Sequence, residues 1–102
     1  MEKLTVEQSA RPQDILLTLH GELTLQTMKI MQSALDEAQE QSKKLVLDMA
    51  DVDFVDSSGL GLLVRTGKQL LREGGNLELV EMQEELKGLL RLTGLTAHFR
   101  IL

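Results

Sequence analysis

The sequence predicts an α/β fold: a mixed β-sheet that opens with an antiparallel hairpin and carries helices packed against it, in the order ββαβαβαβ. Three observations carry that reading. Apolar and polar residues alternate before the turn-forming stretch Arg11-Pro12-Gln13-Asp14, and the apolar-rich run Ile15 to Leu19 follows it, the signature of two strands with a short connection. Apolar stripes of helical period then recur three times, separated by the short apolar runs Leu45-Val46-Leu47 and Leu77 to Val80. Strands that alternate with helices imply right-handed crossovers onto the sheet, with the hairpin as the antiparallel pair.

In the first strand Leu4, Val6 and Gln8 alternate with Thr5, Glu7 and Ser9, and the second strand runs from Ile15 to Leu19. From Thr24 the period changes. Met28, Met31, Ala34, Leu35 and Ala38 recur at helical spacing, while Lys29, Gln32, Asp36, Glu37 and Glu40 lie off that stripe, so one amphipathic helix follows with its methionines as core filler. Leu45-Val46-Leu47 reads as a central strand covered on both faces, and the acidic segment Asp48 to Asp56 is expected to form the loop after it. Leu60, Leu63, Val64, Gly67, Leu70 and Leu71 trace the buried stripe of a second helix over about 58–73, stopped by Gly74-Gly75. Leu77, Leu79 and Val80 form another strand. Leu86, Leu89, Leu90 and Leu92 form a third helix ended by Gly94, and Phe99, Ile101 and Leu102 close with a last strand.

A length of 102 residues suits one domain, spanning residues 1–102. The formal charge of −5 and an aromatic content limited to Phe54 and Phe99 argue against nucleic acid, which is held by basic grooves and stacking rings. A protein partner fits better. Cysteine is absent, which excludes disulfides, thiolate metal sites and thiol catalysis and fits a reducing compartment. No apolar run approaches the roughly 18 residues of a membrane helix, and the acidic start MEKLTVEQ lacks the regions of a signal peptide. A cytoplasmic protein without membrane attachment is expected.

Several catalytic motifs are nearly matched and fail on particular residues. Gly61 to Gln69 has five residues between its glycines and Gln69 where a phosphate-binding loop needs a hydroxyl, and it lies inside a helical pattern. Gly59-Leu60-Gly61 opens a dinucleotide fingerprint that meets Val64 at its third glycine. Asp51 and Asp53 open like a calcium loop, but Val55, Asp56 and Leu62 occupy its fifth, sixth and twelfth positions. His20 and His98 stand beside no serine and in no metal-ligand spacing. No metal or cofactor is expected.

What remains is Asp56-Ser57-Ser58-Gly59-Leu60-Gly61, where the loop after the central strand becomes the second helix. A serine hydroxyl there can accept from one of the first helical N–H groups, which lack intrahelical partners. Two serines exceed what one cap needs. Gly59 and Gly61 lower helix propensity by about 1 kcal/mol each relative to Ala while opening the backbone to close approach. The spacing leaves two readings open: a cap alone, or a helix start that also accepts a phosphate or contacts a ligand.

These residues resemble the STAS domains, and among them the bacterial anti-sigma factor antagonists. The resemblance rests on Gly21-Glu22-Leu23 at the entry to the first helix, Leu45-Val46-Leu47-Asp48, the segment Val52 to Gly61, the Gly74-Gly75 turn and Leu92-Thr93-Gly94-Leu95. It covers nearly the whole chain in order. It implies that Ser57 is phosphorylated by a serine kinase that is itself the anti-sigma factor, with Ser58 as the helix-supporting hydroxyl. It further implies that the unmodified form binds this kinase and frees a sigma factor, while a PP2C-type phosphatase acts as the second partner. Such a chain is a substrate and a switch and not an enzyme.

The physical effect of the phosphate can be argued separately. It would add about −1.5 to −2 charge beside Asp56, at a helix N-terminus that tolerates an anion. In a desolvated contact the same charge excludes a complementary partner. The expected docking surface comprises Asp53, Asp56, Ser57, Ser58, Gly59 and Gly61. Leu62 and Arg65, with Thr66 and Gln69, are expected on the outer face of the second helix, and Glu22 and Thr24 at the entry to the first. Two departures from the family pattern stand out. Thr24 replaces the Asp that many members carry after Gly-Glu-Leu, and the chain stops at Leu102 where members usually add a fourth helix. Apolar surface left bare there would favour weak self-association. The competing reading is a STAS regulatory subunit of a membrane transport assembly, but such subunits tend to show D-T-x-G-L-A where this chain has D-S-S-G-L-G.

Overall fold

The expected hairpin forms between β1 (Leu4–Ala10) and β2 (Ile15–Leu23), with Leu4 opposite Gly21 and Ala10 opposite Ile15. Its turn is closed by the Arg11 N–H donating to the Asp14 carbonyl at 2.9 Å, reinforced by the ion pair between their side chains. The computed structural model describes residues 3–102, without the side chains of Leu95 and Thr96. Met1 and Glu2 of the acidic start, and the Leu95 side chain of the closing motif, therefore lie outside the described residues.

After β2 come α1 (Met28–Gln41), β3 (Lys44–Val55), α2 (Ser57–Arg72), β4 (Asn76–Val80), α3 (Glu84–Thr93) and β5 (Arg100–Ile101), with short 3-10 turns over Leu25–Thr27 and Leu95–His98. The order matches the sequence expectation. The strands lie in the sheet as β1-β2-β3-β4-β5, antiparallel at β1/β2 and parallel elsewhere, so β3 is central. Three successive right-handed crossovers that step in one direction across a sheet deliver all their helices to the same face. Facing strand residues form two apolar rows beneath them, Ile15-Leu45-Leu77 and Leu17-Leu47-Leu79, all buried in the core with Met31 and Leu35 of α1 and Leu63 and Leu70 of α2. Burying each such leucine contributes about 1.5–3 kcal/mol.

Three expectations change. Helices cover β3 on one face only, and Val46, which points to the other, is 6% exposed without belonging to the core cluster. Its cover comes from flanking strands: its neighbours are Leu16 and Glu78, both half-buried. The segment read as a loop, Asp48 to Asp56, is instead, as far as Val55, the second part of a 12-residue strand that pairs with β2 up to Leu23. Met49 and Val52 are its buried residues, while Asp51 and Asp53 are exposed and Asp48 is half-buried. Register shifts interrupt the pairing twice, and beside the first the Asp48 carboxylate accepts from the Ala50 N–H at 3.0 Å. In the same way Gly21-Glu22-Leu23 ends a strand rather than opening a helix. Gly21 has φ of +130°, where the first strand passes so close that a Cβ would overlap the Lys3 carbonyl.

The third change concerns α2. Its buried residues are Gly59, Leu62, Leu63, Thr66, Gly67 and Leu70, while Leu60 and Val64 are half-buried and Leu71 is 49% exposed. This stripe has the same period as the expected one but is rotated about one residue around the helix. Gly59 and Gly67 decide the rotation, because a Cβ on either would overlap a backbone carbonyl, that of Leu23 or of His98. Leu89 and Leu92 of α3 and the residue Leu102 are exposed.

Candidate functional site

The site lies where the carboxyl ends of β2 and β3 meet the start of α2, the edge of a parallel sheet at which ligands and partners usually engage. The last link between the strands is the Asp56 N–H donating to the Leu23 carbonyl at 3.0 Å. Asp56 then caps α2: its backbone is extended, and Oδ1 accepts from the Gly59 N–H at 2.9 Å. Its other oxygen, Oδ2, accepts from the Leu25 N–H at 3.1 Å and so holds the 3-10 turn that leads into α1. Both oxygens are bound by N–H groups. The bond from Gly59 is the main cause that holds the carboxyl below the usual carboxylate range; desolvation opposes it, and the bonds from Leu25 and Ser58 add smaller shares in the same direction as Gly59.

Capping is therefore done by the aspartate, not by a serine. Ser57 and Ser58 are the first two helical residues, and neither hydroxyl has a hydrogen-bond partner among the described residues. The helix-supporting role expected of Ser58 is not made. Ser57 is exposed and Ser58 half-buried. The Ser57 hydroxyl thus lies exposed at the mouth of α2, at the positive end of the helix dipole.

The other expected contact residues divide into two sets. Asp53 and Arg65 are exposed, Gly61, Asp56 and Glu22 are half-buried, and Glu22 pairs with Phe54 across β2 and β3. Four residues turn inward, and their expected surface contacts are corrected. Leu62 is 3% exposed in the core because the buried stripe of α2 is rotated, and Thr66 follows it. Thr24 is 1% exposed at the start of the 3-10 turn, its N–H donating to Thr27 Oγ1 at 3.0 Å. Gly59 is buried against Leu23, which accounts for a glycine there without any ligand.

One surface feature was not foreseen. Phe54 is 52% exposed, and with Asp53, Gln83, Leu86 and Leu89 it borders a hollow of about 320 Å³ between the end of β3 and α3. An apolar residue in a mixed-polarity segment offers no signal of whether it faces core or solvent. The strand pairing reveals it, since Phe54 and Glu22 face each other beyond the second register shift. Among the described residues no group of His, Asp or Glu could hold a metal ion, and no helix is long and apolar enough to cross a membrane.

A single α/β domain with a hairpin-led mixed sheet and a helix starting at Asp-Ser-Ser-Gly describes a STAS domain, and the family model for the STAS domain matches residues 4–102. This chain belongs to that family. It is 32% identical over 92 residues to the anti-sigma-B factor antagonist of Bacillus subtilis, covering 90% of this chain and 84% of that protein. Among solved structures it is similar to an anti-sigma factor antagonist from Mycobacterium paratuberculosis, with a TM-score of 0.84 and 24% identity over 97% of this chain and 85% of that one. It is also similar to the Bacillus cell fate determinant SpoIIAA in its phosphorylated form, with a TM-score of 0.73 and 19% identity over 98% and 91% of the two chains.

Proposed function

We propose that this chain is an anti-sigma factor antagonist that works by partner switching. In its unmodified form it binds an anti-sigma factor serine kinase and so releases a sigma factor. Phosphorylation of Ser57 blocks that binding, and a PP2C-type phosphatase reverses it. The observation that carries this reading is the exposed Ser57 hydroxyl, free of any capping duty because Asp56 performs it. The named antagonist of Bacillus subtilis, similar over most of both chains, supports the assignment. The surface offered to the kinase is Asp53, Asp56, Ser57, Ser58, Gly61, Arg65 and Glu22, extended by exposed Phe54.

The chain acts here as a substrate and a binding module, in the cytoplasm and without touching nucleic acid. A phosphate on Ser57 is tolerated by the fold, since the helix N-terminus presents N–H groups and the positive end of its dipole. The same charge within a desolvated contact lacks the water that stabilised it, and the partner is excluded without any change of shape. The test is incubation of this protein and its Ser57→Ala and Ser58→Ala variants with kinases from the same genome, followed by intact mass and complex formation. Loss of phosphate transfer in Ser57→Ala alone supports the reading; modification of Ser58, or equal kinase affinity of the phosphorylated and unmodified forms, overturns it.

A further inference from the structure

Packing explains Gly59 but leaves Gly61 unaccounted for. A Cβ on Gly61 would meet a single neighbour, Nη1 of Arg65 at 3.3 Å. The Arg65 guanidinium therefore lies over Gly61, leaning back toward the start of α2 as long helical side chains do. Ser57, Gly61 and Arg65 are spaced i, i+4 and i+8, so they share one stripe of the helix. Arg65 is exposed and forms no ion pair among the described residues, in a chain whose formal charge is −5. No other Lys or Arg occurs between Lys44 and Arg65.

We propose that Arg65 is the internal acceptor for a phosphate on Ser57, reached through the gap left by the missing side chain of Gly61. The inference rests on the reading of Ser57 as the phosphoacceptor. In that step the terminal phosphoryl group of a nucleoside triphosphate passes to Ser57 Oγ: the new O–P bond forms as the bond to the nucleoside diphosphate breaks, and the hydroxyl proton leaves to a base of the kinase. Residues four apart on a helix have Cβ atoms about 5–6 Å apart. A phosphate projecting from position 57 and a guanidinium above position 61 close that span between them. The planar guanidinium fork matches phosphate oxygens with two parallel N–H bonds. Asp56, the carboxylate next to Ser57 in sequence, has both oxygens committed to backbone N–H groups. Phosphorylation then changes the docking face twice over, adding an anion at Ser57 and withdrawing the Arg65 cation from the partner.

The test uses the full chain with phosphoserine installed at position 57 during translation, so that no kinase takes part, and follows the phosphate by phosphorus NMR across pH. Arg65→Gln is expected to raise the second pKa of the phosphate, ordinarily about 6, by about 0.3–0.7, the size of an exposed charge pair. Gly61→Leu keeps every charge and fills the gap, and is expected to raise it by at least half as much. Lys68→Gln, further along the helix, is expected to move it less than either. The proposal is overturned if Gly61→Leu leaves the value unmoved, or if Arg65→Gln shifts it no more than Lys68→Gln. None of the three positions belongs to the core cluster, and circular dichroism checks that the variants fold. A negative titration leaves kinase-dependent modification of Ser57 standing, and a negative kinase assay leaves the titration interpretable.

Discussion

Asp56 joins two elements that are far apart in sequence: the backbone N–H of Leu25 donates to Asp56 Oδ2 at 3.1 Å while Oδ1 of the same carboxylate caps α2 at Gly59. One side chain therefore fixes both the start of α2 and the turn into α1. This frees Ser57, the residue next to it, to remain an exposed hydroxyl. A residue that would otherwise be read as acidic surface is the positioning group of the site.

Asp56→Ala is expected to lower the denaturant midpoint and fray the first turn of α2, because three N–H donors lose an acceptor. Hydrogen exchange at Gly59 and Leu25 reads the loss at both ends. The pH dependence has a definite sign. The folded-state pKa of Asp56 is depressed, so its contribution is present above its unfolded value near 3.8 and is lost as pH falls through the folded value. Acid unfolding of Asp56→Asn should lack that component. An equal acid limb in the two proteins would show that the carboxylate is not ionised in these bonds.

A second titrating group lies on the helix-free face of the sheet. His20 on β2 bonds Glu7 of β1 through Nε2 and Asp51 of β3 through Nδ1, each at 2.8 Å, so one imidazolium ties three strands together. The bond to Glu7, then that to Asp51, raises its pKa above the usual 6.5, against a weaker effect of desolvation. Here the sign is reversed. The contribution is full below the unfolded pKa and is lost as pH rises through the higher folded value. The stability of the parent protein should fall across and above neutral pH relative to His20→Gln, with the difference closing once His20 is neutral. Urea midpoints at several pH values, with the His20 ring resonances followed by NMR, measure it. A His20 ring titrating at or below 6.5 would contradict the arrangement.

How far the sequence discloses this molecule depends on how each residue announces its surroundings. Element order, the hairpin and the central strand follow from period and turn chemistry, which are local. The second half of β3 does not, because Asp48, Asp51 and Asp53 read as loop polarity when they are the outward face of a strand with one bare side. Nor does the rotation of α2. Apolar residues at 60, 62, 63 and 64 allow two stripes, and a glycine registers as a hole in either pattern although Gly59 and Gly67 make the closest approaches of the glycines in α2. That an acid of the segment Asp48 to Asp56 caps the second helix is legible in the sequence, but the two serines after Asp56, themselves good capping residues, obscure that it does so alone.

The rotation of α2 predicts opposite outcomes for two leucines. Leu62→Ala should cost about 2–5 kcal/mol, as removing a fully packed leucine does, because its side chain lies within the core cluster. Leu71→Ala should stay within about 0.5 kcal/mol, since that residue is half exposed. Urea denaturation of both variants decides the matter. If Leu71→Ala proves the more damaging, the stripe over 60, 63, 64, 67, 70 and 71 is the buried one and Leu62 returns to the surface.

The two glycines of the site predict a similar contrast within three residues of chain. Gly59→Ala would drive a methyl group into the Leu23 carbonyl and to 2.9 Å from the Leu23 Cβ. Neither the end of β2 nor α2 can retreat without losing the Asp56 bonds to Leu23 and Leu25, so the variant should lose about 1–3 kcal/mol by overpacking. Gly61→Ala meets only the far end of the Arg65 side chain, which moves freely. The gain in helix propensity then acts alone, and the variant should be more stable than the parent by about 0.5–1 kcal/mol. A more stable Gly61→Ala that still bound its kinase partner normally in the unmodified state would show that the partner does not require a bare backbone at that position. Weaker binding despite higher stability would show that the glycine is kept for a contact, and thermal melts run alongside binding titrations separate the two.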